Sequence, residues 1–227
     1  MSLTAGWGPL GEDRRGRLSF EAPPRASYVE DYPRRVRGSR AGETVIDSLR
    51  AKLLWVTGAQ PQYCFPEEDA AGLGKPAPGL EGWSLVPFDA VDAWHEEDEQ
   101  VYGHVRDPYH RVDVYPTSRL VRISLAGELL AESHRAQALF ETALPARWYL
   151  PRVDVHAELT RSEKVTVCAY KGFATHWSIP AATDVAWSYE EPLRDAEPVR
   201  DLVSFYNEHV DVELDGEPQD RPVTPFS

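Results

Sequence analysis

The chain is poor in the residues that build covalent staples and metal centres. Its 227 residues include two cysteines, Cys64 and Cys168, and one methionine. Two cysteines are too few for a disulfide framework. No C-x-x-C pair occurs, so the paired-ligand spacing of a structural zinc is missing. No apolar run approaches the ~20 residues of a membrane-spanning helix. The first residues, MSLTAGWGPLGEDRRGRLSF, hold no apolar stretch of the signal-peptide kind. Basic residues are outnumbered: 24 Lys and Arg face 37 Asp and Glu, a net charge of −13. Reading nucleic acid or an anionic membrane needs the opposite balance, so neither partner is expected. The excess acid serves solubility. Helix signals are scarce, and only 195–202, with Pro198 near its start, reads as helical. These absences describe a cytoplasmic globular protein that calls for no cofactor.

What the sequence does have is a partial repeat. Residues 36–69 and 121–154 match at one offset of 85. That offset pairs Ala41-Gly42-Glu43 with Ala126-Gly127-Glu128, Ser48 with Ser133, and Arg50 with Arg135. It also pairs Pro66 with Pro151 and Asp69 with Asp154. The second copy then runs 47 residues before Leu202-Val203-Ser204-Phe205, whereas the first runs 15 before Leu85-Val86-Pro87-Phe88. The first copy therefore lacks about 32 residues, those matching KVTVCAYKGFATHW and DVAWSYEEP. Gly82-Trp83-Ser84 is a three-residue match to Ala186-Trp187-Ser188. The expected organisation is an extended arm at 1–30, laid over the body through Trp7, Phe20 and Tyr28. A degenerate first repeat at 31–105 and a linker at 106–118 come next. A complete second repeat at 119–220 and a tail at 221–227 close the chain.

Period-two alternation identifies the strands. In 119–125, Val121, Ile123 and Leu125 face one way and Leu120, Arg122 and Ser124 the other. Residues 129–132, 136–142, 164–170, 174–179 and 184–189 read as further short strands, with turns at 126–128, 171–172 and 180–183. Residues 202–214 are apolar and β-rich. Short strands punctuated by Gly and Pro predict an all-β, mainly antiparallel protein.

Several motifs of the second copy resemble the bacterial family known as domain of unknown function 427. They are Ser133-x-Arg135-Ala136, Glu141-Thr142, Pro151-x-x-Asp154, Thr166-x-Cys168-x-Tyr170-Lys171-Gly172, Ala186-Trp187-Ser188-Tyr189 and Pro192. The resemblance covers 119–218 well and 36–101 in part, and residues 91–114 look like the joining stretch of tandem members. It implies two β-tent-like domains, the first degenerate: sheets pinned at one edge and open at the other. Relatives with this fold often hold zinc through C-x-x-C pairs, which this chain lacks. The family is also labelled nucleotidyltransferase-like, but no Gly-Ser pair followed by paired aspartates stands here.

The candidate chemistry lies in the second copy. Thr166, Cys168 and Tyr170 share one strand face, with Lys171 at the turn. Cys168 is either a packed thiol or a nucleophile whose pKa Lys171 lowers. Trp177, Trp187, Tyr170 and Tyr189 are either core or the walls of a cage for a planar or cationic ligand. Arg135 either grips an anion bidentately or pairs with Glu141 or Asp154 inside the fold. Arg50 and Asp69 repeat the Arg135 and Asp154 pair, which favours structure. His104, Asp107, His110 and Asp113 recur every third residue, but around Pro108 they do not converge on a metal, so they read as a solvated linker. The leading expectation is a small-molecule binder with Trp187, Tyr189, Tyr170 and Trp177 as walls and Lys171 and Arg135 as anchors. An enzyme using Cys168 and Lys171, and a protein-interaction module, stand beside it.

Overall fold

A computed structural model describes residues 3–224 and 227, Trp7 and Arg15 excepted. The chain is all-β and divides into two units, 1–110 and 111–227. The first contains β1 (Ser27–Asp31), β2 (Val36–Arg40), β3 (Glu43–Ser48), β4 (Lys52–Val56) and β5 (Gln62–Pro66). It continues with β6 (Lys75–Pro76), β7 (Trp83–Val86), β8 (Ala93–Glu96) and β9 (Glu99–Val101). The second contains β10 (Val112–Pro116), β11 (Val121–Leu125), β12 (Glu128–Ser133), β13 (Gln137–Glu141), β14 (Arg147–Leu150) and β15 (Thr160–Cys168). Its remaining strands are β16 (Gly172–Ile179), β17 (Ala182–Ser188), β18 (Val203–Phe205), β19 (Asp211–Leu214) and β20 (Glu217–Gln219).

Each unit packs a small antiparallel sheet against a larger one. In the first, β3-β2-β8-β9 faces β1-β4-β5-β7-β6; in the second, β12-β11-β19-β20 faces β10-β13-β14-β18-β17-β16-β15. The strands alternate, so each sheet sends one row of side chains inward. In the second unit Val121 and Ile123 of β11 meet Trp148, Leu150, Trp177, Ala186 and Phe205 of the large sheet. In the first, Val36 and Ile46 meet Leu53, Trp55, Tyr63, Phe65 and Trp94.

The offset of 85 carries through the geometry. Ala41 and Gly42 turn the β2–β3 hairpin at φ 49° and 82°; Ala126 and Gly127 turn β11–β12 at 50° and 84°. Both central residues take positive φ, which lets a two-residue turn follow the strand twist. The register shifts after Gly38 in the first hairpin and after Ile123 in the second, one offset apart. Beyond β5 the expected alignment slips by two residues. Leu85 stands opposite Cys64, and Ser204 stands opposite Tyr149, so Leu85 corresponds to Ser204 and not to Leu202. Trp83 accordingly takes the place of Leu202. The place of Trp187 beside that strand is taken by Lys75 of the two-residue strand β6.

Three stretches depart from expectation. Residues 27–31 of the arm are strand β1, paired with β4, and Thr4 and Ala5 are buried. Tyr28 packs 5.4 Å from Trp55 while Phe20 stays exposed, and Trp7 lies outside the described residues. The stretch read as a solvated linker is structured too. Asp107 is buried and accepts from Trp55 Nε1 at 3.1 Å, His110 is buried, and 112–116 is strand β10. The helical signal at 195–202 is a six-residue 3-10 helix, Arg194–Val199.

Candidate functional site

The seven-stranded sheet has an inner face, toward the small sheet, and an outer face behind it. On the outer face the register sets Tyr149, Ser204, Trp187 and His176 side by side on four neighbouring strands. Trp187 Nε1 donates to the Tyr149 hydroxyl at 2.9 Å. The Tyr206 ring lies 4.5 Å from that of Trp187 and 6.3 Å from the His176 ring, nearly parallel to the latter. Two buried ion pairs frame this aromatic row. Arg147 grips Glu208 through two bonds of 2.7 Å, with its guanidinium 5.4 Å from the Trp187 ring centre. Lys171 pairs with Glu141.

Burial and the charges around each group together set the protonation of this face. It pulls the Lys171 ammonium pKa down, but the charges of Glu141, Cys168 and Tyr149 outweigh it and hold the group above the ordinary lysine value. Burial pushes up the Glu208 carboxyl, and the bonds from Arg147 and Thr224 more than reverse that. The His176 imidazole is held below its usual value by burial and then by Lys164. His176 Nε2 meets the Thr166 hydroxyl at 2.9 Å, while its Nδ1 and the Ser204 hydroxyl are buried without a partner.

The inner face carries a different group near the free edge of the sheet, where β15 pairs with β16. Trp177 is buried there, its Nε1 bonded to the Ser188 hydroxyl at 2.9 Å. The Arg152 guanidinium lies 4.2 Å from the Trp177 ring centre and that of Arg161 5.9 Å. Arg161 also holds Glu190 at 3.1 and 3.2 Å and donates to the Thr175 hydroxyl at 3.2 Å. Among the described residues Arg152 pairs with no carboxylate.

Arg152 is positioned by the repeated motif. Ser133 Oγ donates to Asp154 at 2.7 Å and accepts from Arg135 N–H at 2.9 Å, and Arg135 bonds the other Asp154 oxygen at 2.8 Å. This clasp fixes the 3-10 turn Arg152–Asp154 that carries Arg152. The first unit builds the same clasp from Ser48, Arg50 and Asp69, at 2.6, 3.0 and 2.6 Å. A cavity of about 460 Å³ adjoins Arg135 and one of about 610 Å³ adjoins Arg50. A feature present in both units belongs to their frame.

The candidate residues named from sequence therefore divide. Trp187, Tyr189, Lys171 and half-buried Cys168 gather on or beside the outer face. Tyr170 is buried in the turn after Cys168, where the strand has already ended. Trp177 faces the opposite way, because it neighbours His176 on one strand and successive side chains alternate. Arg135 is exposed on the clasp. Sequence reasoning missed Arg152, Arg161, Tyr149, Arg147 and His176. The signal for His176 and Trp177 was the alternation within β16; for Arg152 there was none, because the clasp that aims it joins distant residues.

The corresponding positions of the first unit lack these groups. Val56 stands for Glu141, Cys64 for Tyr149, Gln62 for Arg147 and Leu85 for Ser204. Cys64 sits among Leu54, Ala77 and Leu85, where burial pushes its thiol up to about 12. Glu67 stands for Arg152, and among the described residues nothing stands for β15 and β16.

The model of the family described as domain of unknown function (DUF427) matches residues 113–216, nearly all of the second unit, which belongs to that family. No curated protein matches the chain. Among the described residues no group of three or more His, Cys, Asp or Glu is placed to hold a metal ion, and no helix is long and apolar enough to cross a membrane.

Proposed function

We propose, from a second unit that is a member of the DUF427 family, that the chain binds a small planar or anionic molecule. The first unit is a degenerate copy that serves as scaffold. The observation that carries this reading is the Trp177 group: an indole with guanidinium groups 4.2 and 5.9 Å from its ring centre, one of them without a carboxylate partner among the described residues, in a chain of net charge −13. A guanidinium lying over an aromatic ring, as Arg152 does, keeps its donor edge available to a planar anion. The outer-face residues Trp187, Tyr189 and Lys171, with Tyr170 in the adjoining turn, support this site from behind. Their rings pack on one another or in the core, and the Lys171 charge is committed to Glu141.

Calorimetric titration with phenyl phosphate and benzoate tests the proposal. Both should bind the wild-type chain, and Arg152→Gln should weaken them about tenfold, the loss of one charged bond. Trp187→Phe should leave affinity within about twofold. Equal affinity in wild type and Arg152→Gln, or no binding of either compound, would sink the reading.

A further inference from the structure

We infer that the ligand is an elongated amphipathic oxyanion, free in solution, with its head on Arg152 and Arg161 and its apolar body along β15 and β16. The inference rests on the binding site just proposed and names the chemistry that site would accept.

The inner-face register orders the two strands into a strip. Arg161 stands opposite Trp177, Val165 opposite Thr175, and Val167 opposite Phe173. One end is cationic and the other apolar. Four residues separate Trp177 from Phe173, about 13 Å at the rise of an extended strand. Val165, Val167 and Phe173 are 60%, 44% and 51% exposed. Isolated exposed apolar side chains are ordinary, but three adjoining ones on a single sheet face mark a contact surface. Edge strands are normally protected by charge, yet the charges of β15 are confined to Arg161, Glu163 and Lys164, and none follows through Cys168.

The head position already receives a carboxylate. Glu190 lies on Arg161 through two contacts of 3.1 and 3.2 Å, longer than the ~2.7–2.9 Å of a tight charge-assisted bond. Its side chain is 39% exposed, so it can turn to solvent when another oxyanion takes its place. A simple anion would use only the head. A neutral chain would use only the strip, leaving Arg152 without a carboxylate.

The test is calorimetry on the full chain with decanoate, decyl phosphate, acetate and decanol. Decanoate and decyl phosphate should bind at least tenfold tighter than acetate or decanol. Arg152→Gln should weaken both tenfold or more. Val167→Ser, checked for folding by circular dichroism, should weaken decanoate several-fold and leave phenyl phosphate unchanged. Glu190→Gln, which removes the resident carboxylate, should tighten decanoate several-fold. Decanoate binding no tighter than acetate, with phenyl phosphate still bound, overturns the inference and leaves the proposed function standing. Failure of phenyl phosphate, benzoate and decanoate together overturns both. Sedimentation with phosphatidylglycerol vesicles, without binding of free decanoate, would replace a soluble ligand by a membrane surface and so also overturn the inference.

Discussion

The two units place their buried polarity on opposite sides of the same frame. In the first, Glu96 lies between the sheets and accepts from Tyr32 at 2.8 Å, Tyr63 at 2.6 Å and Arg34 at 2.5 Å. In the second, the register puts Leu214 at that position and Trp148 at that of Tyr63, so the space between the sheets is more apolar. Behind the large sheet the order reverses. There the first unit has Leu54, Cys64, Ala77 and Leu85, and the second has Tyr149, Ser204, His176 and two buried ion pairs. The hairpin turns, register shifts and Ser-Asp-Arg clasps are shared. The frame thus forms with polarity on either side, so the outer-face groups of the second unit are not needed to make the fold. They cost desolvation, which their pairing must offset for the second unit to fold.

The strongest way to break the comparison is to remove one partner of a buried ion pair on the outer face. Lys171→Met takes away the ammonium that pairs with the buried Glu141 carboxylate and should cost about 3–5 kcal/mol. Urea denaturation followed by tryptophan fluorescence reads it. Adding Glu141→Val, which installs the residue of the first unit, should recover most of that loss. If the double variant is no more stable than the single one, the outer face of the second unit is not interchangeable with that of the first.

The clasps should respond alike. Ser133→Ala and Ser48→Ala each remove a hydroxyl that donates to a half-buried carboxylate and accepts a backbone N–H, for about 1–3 kcal/mol. Comparable losses in the two units, by the same denaturation, mark the clasp as frame. A loss confined to Ser133→Ala, accompanied by weaker binding of phenyl phosphate, would assign it to the site through Arg152 instead.

Much of this frame was legible in the residues. The match of Ser48-x-Arg50 to Ser133-x-Arg135, and of Asp69 to Asp154, foretold two identical hydrogen-bonded corners, because side chains that recur at one spacing recur in one geometry. The alternation in 121–125 foretold which side chains of that strand turn inward. What was not legible depends on pairing between distant strands. Trp177 and Trp187 looked like one aromatic group, but only the β16–β17 register, with Trp187 beside His176, sends them to opposite faces. Leu85 and Leu202 looked equivalent by sequence, and only their opposite numbers on β5 and β14 show the two-residue slip. Arg152 gave no sign at all, since its partner Trp177 lies 25 residues away and reaches it through a sheet.

The smallest effect concerns protons, and here the units converge. Burial holds His176 in the second unit and His104 in the first below the ordinary histidine pKa. A histidine whose folded pKa is depressed stays neutral while the unfolded chain takes up a proton. Its contribution is therefore complete above the unfolded value near 6.5 and is lost as the pH falls toward the folded value. Melting temperatures should accordingly fall between pH 7 and pH 5. His176→Asn and His104→Asn should each flatten part of that slope, measured as the difference in Tm between the two pH values. His176 stands on β16, a strand with no counterpart in the first unit, whereas His104 lies just after β9 of the shared frame. An unchanged slope in His176→Asn would mean that the His176 ring takes up its proton at the same pH in the folded and the unfolded chain, so that its burial carries no part of the pH dependence.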